Sequence, residues 1–191
     1  MQGNEQIKRQ GGLRFVVALA AAHTAAAFLT IFVLAQIAPL IAGALPPRAA
    51  WIAVAMAALI GIAVDTRAAK RRRWSLGVAR QTPKQLMFLG ENAWIAACVW
   101  GFDTGLIWTT YRVSFCSWLL MLLATFGIAP AWSGLMYGAG FAIPLILATR
   151  FHPFHGPLPK PMPALPLQVS GVASMLVLVL ALGSSLVLDH A

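Results

Sequence analysis

Two cysteines, Cys98 and Cys116, and two acidic residues, Glu91 and Asp103, lie within one long apolar stretch running from Gln85 to Arg150. These residue types can move electrons or protons. A charge inside apolar sequence is costly, so such residues usually turn toward a bundle interior or a water-filled cavity, where they mark substrate or proton paths. Glu91, beside Asn92, falls about two turns into its apolar run and can reach water or a basic loop residue. Asp103 sits in GFDTG with Arg112 a short turn away, and an ion pair between them is a more common outcome than a substrate site. His23 lies in the first apolar run and could serve a proton path or a cofactor, although a single histidine there more often makes one helix-to-helix hydrogen bond.

The thiols invite a disulfide. If Cys98 and Cys116 belong to successive helices turning near Thr110, their heights differ by about 9 Å, beyond the roughly 7 Å Cα limit for a bridge. They pair only if the helices slide or unwind, and otherwise pack as small hydrophobes. There is no CxxC and no zinc-type spacing, so no metal site is expected. His152 and His155 stand three apart in FHPFHGP, where prolines prevent a helix from aligning them and no third ligand is near. Walker loop, GxGxxG, HExxH and catalytic-triad patterns are all missing. No cofactor is expected.

The elements that must position these residues are set by composition. The 191 residues are 60% hydrophobic and 10% charged, with mean hydropathy +0.78, against about 25% charged in ordinary globular domains. The net charge of +9 does not point to nucleic acid, because the basic residues are clustered between apolar runs. The pattern predicts an all-α, polytopic membrane bundle of six helices in a single domain, residues 1–191, with the lipid bilayer as its partner. The apolar run after Arg14 is too long for a cleaved signal segment. Membrane strands alternate faces, whereas these segments are continuously apolar.

Expected spans are 15–37, 49–64, 85–108, 113–126, 133–148 and 167–188, with Pro39, Pro46 and Pro47 ending the first. The loop 65–84, DTRAAKRRRWSLGVARQTPK, holds seven of the fourteen Lys and Arg residues and is expected in the cytoplasm by the positive-inside rule. Residues 151–166 carry six prolines and read as an extended outer connector. Six crossings place both termini on the cytoplasmic side of a plasma membrane, leaving Arg48, Arg112, Arg150 and Lys160 outside. Gly101 and Gly105 are four apart, as are Gly134 and Gly138, a spacing that lets helix backbones approach closely. LAQIAP with AVDTR, and TFGIAP with ILATR, form a faint internal echo of the kind inverted transport repeats leave.

The run GFDTGLIWTTYRVSFCSWLLMLLATFG, followed by GLMYGAGFAIPLIL, resembles one half of the cytochrome c biogenesis and DsbD-type transmembrane thiol carriers of the LysE-like superfamily. The resemblance implies a redox role for Cys116, with Cys98 as its companion, and an interrupted helix at Pro144. Phe115 replaces the proline that precedes the cysteine in that family, and the first two spans contain no cysteine. Three functions are therefore expected in turn. The first is a carrier of reducing equivalents with a redox partner; the second is a small transporter built around Asp103 and Glu91; the third is an accessory subunit of a larger membrane complex.

Overall fold

The computed structural model describes residues 12–71, 93–109, 113–151 and 164–188. Among them are six helices and no strand: α1 (Leu13–Ala44), α2 (Pro47–Lys70), α3 (Ala93–Gly105), α4 (Cys116–Thr125), α5 (Ser133–Phe151) and α6 (Ala164–Leu188). By length and composition, two stretches suffice to cross a membrane, Leu13–Ile41 in α1 and Arg48–Lys70 in α2.

Several boundaries differ from expectation for local reasons. Pro39 lies inside α1 rather than ending it. One proline removes a single backbone donor, whereas the tandem Pro46–Pro47 forces Pro46 into an extended conformation at φ −62° and ψ 143°, and that stops the helix. Pro47 then opens α2, where a fixed φ is already helical. The second helix runs on through Asp65 to Lys70, well beyond the expected end at 64, with Arg67 and Lys70 in its last turn complementing the helix dipole. Pro144 likewise sits within a continuous α5.

The fourth element is short, and the third ends in a compact turn. α3 ends at Gly105, and the Thr109 hydroxyl donates to the carbonyls of Asp103 and Leu106, meeting acceptors that a helix end leaves open. α4 is closed off just beyond its Phe126 cap by Gly127, whose φ of +70° lets Gly127 N–H reach the Ala124 carbonyl and Ile128 N–H reach that of Leu123. Such a left-handed cap favours glycine. TFGIAP is thus a helix end and a turn, whereas LAQIAP is helix interior; the internal echo does not extend to local structure.

The chain divides into two compact units. The first contains α1 as far as Val33, together with α3 and α5. Here glycines set the spacing. A Cβ on Gly101 would strike Leu19 and Ala22, and one on Gly105 would strike His23 and Ala26, so α3 runs parallel to α1. Gly134 abuts Ala27, Phe28 and Ile31, while Gly138 abuts Thr24, so α5 runs antiparallel. Phe15, Ala18, Leu19 and Ala97 form the core, with Trp100 and Leu145 against it.

The second unit contains α1 from Leu34, with α2, α4 and α6. Gly61 meets Phe115 and Met175, and Gly171 meets Ser114 and Asp65. As the α2 number rises the α6 number falls, so these helices are antiparallel. α4 starts beside Asp65 and ends at Phe126 beside Trp51, which makes it antiparallel to α2 as well. Val54, Ala58, Leu119 and Met175 form the core. Six alternating crossings would instead align α2, α4 and α6, and would align α1 with α5.

Glycine spacing is directly testable. Gly138→Ala places its Cβ 2.6 Å from the Thr24 Cα, and overpacking of this kind costs about 1–3 kcal/mol. Gly140→Ala meets nothing within 4 Å and should be neutral or stabilising by up to about 1 kcal/mol. Thermal unfolding of the two variants, followed by circular dichroism, checks the contrast; equal midpoints would contradict it.

Candidate functional site

The principal polar cluster lies in the second unit. Val54, Ala58, Gly61, Asp65 and Ala68 line the buried face of α2, and Asp65 is 0% exposed. Its carboxylate accepts the Ser114 hydroxyl at 2.6 Å and the Phe115 N–H at 2.9 and 3.0 Å. Ser114 Oγ in turn accepts the Cys116 N–H at 3.2 Å. Asp65 therefore supplies from another helix the acceptor that the start of α4 needs, since Phe115 at its N-cap makes no side-chain cap of its own. The dipole of α4 favours negative charge at that end.

α6 closes the other side. Gln168, Gly171 and Met175 form its buried face, with Gln168 only 1% exposed. A Cβ at Gly171 would collide with Ser114 Oγ and fall 3.3 Å from Asp65 Oδ2, so glycine is required for this approach. The Cys116 thiol donates to the Gly171 carbonyl at 3.3 Å. A carboxylate, a hydroxyl, a thiol, a buried carboxamide and two backbone donors thus share the region where α2, α4 and α6 meet. Asp65 thereby ties the first turn of α4 to α2, with Gly171 of α6 against both.

The sequence-derived candidates are distributed differently. Cys116 belongs to the cluster, but Cys98 lies in the first unit; both are free thiols, Cys98 exposed and Cys116 half-buried. Asp103 is buried in the first unit. Glu91 and Arg112 lie outside the described residues, as do His152 and His155. His23 is 2% exposed, with Nδ1 at 3.3 Å from Thr104 Oγ1 and its ring stacked 3.9 Å from that of Phe141. Gly101, Gly105, Gly134 and Gly138 all sit at helix contacts with α1.

Asp65 was read from sequence as the first residue of a basic loop. A signal was nevertheless present. It continues the 4-3-4 spacing of Val54, Ala58, Gly61 and Asp65, the period of a helix face. Ser114, Gln168 and Gly171 left no comparable trace.

No protein-family model matches the chain, and neither the curated proteins nor the solved structures contain a significant match.

Asp65→Ala strips the acceptor from Ser114 and Phe115 and should cost about 3 kcal/mol, the scale of hydrogen bonds to a charged group; Asp65→Asn keeps an acceptor and should cost less. Combined with Gly171→Ala, which disturbs the same contacts, the loss should fall short of additivity by about 0.5–3 kcal/mol. Unfolding midpoints of the single and double variants measure this coupling, and simple additivity would separate the two residues.

Proposed function

We propose that this chain is a multi-pass membrane protein of transport type, in which Asp65 is the acidic group on which ion passage depends. The observation that carries this reading is a fully buried carboxylate holding the start of a short helix through Ser114 Oγ and Phe115 N–H. Acidic groups away from water in a membrane protein are costly and tend to be functional. Helices interrupted near the middle of a bilayer are a recurring way to build ion and substrate sites.

Helix directions within each unit support a cytoplasmic segment after α5 rather than an outer one. α1 and α2 are successive spans of opposite sense. α3 runs with α1 and α5 against it, while α4 and α6 both run against α2. With 10 residues, α4 is about 15 Å long, short of a hydrocarbon core of about 30 Å. Arg150 and Lys160 then join the basic loop and the N-terminal cations on the cytoplasmic side, strengthening the positive-inside bias. The exposed Leu40, Met136, Val177 and Leu180 suit contact with lipid. Plasma-membrane residence follows as part of the same proposal, but the C-terminal end now faces away from the cytoplasm.

The thiol-carrier reading keeps one supporting observation, the place of Cys116 beside Asp65. A disulfide relay exchanges electrons between two sulfurs, whereas the Cys116 thiol is engaged with the Gly171 carbonyl. Transport is therefore preferred, and packing onto a larger membrane complex has no specific support among the described contacts.

Two measurements test the proposal. Reporters fused after residue 75 and after residue 160 should both read cytoplasmic, with one after Ala191 on the opposite side; an external signal at 160 would reinstate six crossings. In vesicles containing the full chain, dissipation of an imposed proton gradient should slow by about tenfold in Asp65→Asn, equivalent to roughly 1.4 kcal/mol of barrier. The Cys98→Ser, Cys116→Ser double variant should keep the wild-type rate. An unchanged rate in Asp65→Asn would remove Asp65 from the pathway.

A further inference from the structure

A second feature of the α2–α4 unit lies at the opposite end of α2 from Asp65. There the end of α1, the start of α2 and the turn after α4 surround a cavity of about 360 Å³ lined by Ile41, Leu45, Ala50, Trp51, Phe126, Gly127 and Ile128. Two small residues, Ala50 and Gly127, leave the hollow, and the Schellman turn keeps Gly127 in the left-handed conformation that holds its rim. Among the described residues the lining side chains are aliphatic or aromatic, with backbone groups and the Trp51 indole as the polar part of the wall, a lining that suits a largely apolar occupant.

The entrance has a different character. Arg48 is exposed and precedes Trp51 by three residues, so the two share a face of α2. The first turn of α2 contains no acidic residue, and nothing on that turn competes for an anion. Tryptophan beside a cation is the arrangement found where a helix passes the headgroup layer. In the proposed topology Arg48 is also a basic residue left on the far side of the bilayer.

We propose that this cavity binds one acyl chain of an anionic phospholipid, whose phosphate is met by Arg48. An unbranched chain fills an apolar hollow that opens toward a headgroup layer, and its charged end stays beside Arg48. The lipid bridges the end of α1, the start of α2 and the turn that closes α4. It would thereby brace the far end of the same short helix whose near end Asp65 holds. The site rests on the membrane reading above but not on Asp65 as the ion group.

The test uses the full chain reconstituted in vesicles of equal parts phosphatidylcholine and phosphatidylglycerol, extracted gently and weighed by native mass spectrometry with its retained lipids. Wild type should retain phosphatidylglycerol over phosphatidylcholine by about fivefold, matching about 1 kcal/mol for one basic residue at a membrane surface. Arg48→Gln should keep a bound lipid but lose the headgroup preference. Ala50→Phe, which fills the hollow, should lose the bound lipid; Ile41→Trp provides a second filling variant, and circular dichroism establishes that each is folded. Equal retention of the two lipids by wild type, or undiminished retention by folded filling variants, overturns the site. Failure of the chain to enter vesicles would overturn the membrane reading, whereas an inserted chain without preference would overturn only the lipid site.

Discussion

A carboxylate withdrawn from water must be met by donors, and in this chain Asp65 is met by the first turn of α4. That single constraint reaches outward in three directions. It lets α2 continue past a charged residue to Lys70, where a purely apolar span would have ended. It gives α4, which lacks a capping side chain of its own, a fixed starting point. It also requires Gly171 on α6, because any side chain there would enter the space that Ser114 and the carboxylate occupy. Charge, helix termination and close packing are therefore satisfied by the same few atoms.

The first unit is organised by a different force. Its helices meet through Gly101, Gly105, Gly134 and Gly138, each set against backbone or small side chains of α1. Dispersion contacts accumulate when backbones come this close, and they do not depend on expelling water. His23 is enclosed in that packing, between Thr104 and the rings of Phe141 and Tyr137. The contrast between the units bears on function. The contacts described for the first unit are mainly steric, while those of the second include a buried carboxylate that holds the start of α4.

Transport and thiol exchange make different demands on this arrangement. An ion path needs a polar group inside protein, and Asp65 is such a group, anchoring the start of the ten-residue α4. Thiol exchange needs two sulfurs within bonding reach or an external partner thiol. Cys116 instead directs its hydrogen toward the Gly171 carbonyl, as a buried thiol does when it serves packing.

Composition and periodicity alone determined that the chain is helical and strongly apolar, because continuous apolar runs and spaced glycines are properties of local sequence. The glycine pairs were legible for the same reason: a four-residue spacing marks one face of a helix whatever it packs against. Local sequence also located Pro46–Pro47 as a stop, since tandem prolines act on the backbone beside them. Helix direction was not legible, because an apolar segment reads alike from either end, and only the pairing of Gly61 with Met175 and of Gly171 with Asp65 revealed it. Nor was the polar cluster, since Asp65, Ser114 and Gln168 are separated by about fifty residues at each step. A charged residue at a helix end looks like a loop until its partners arrive from elsewhere in the chain, and only tertiary packing brings them.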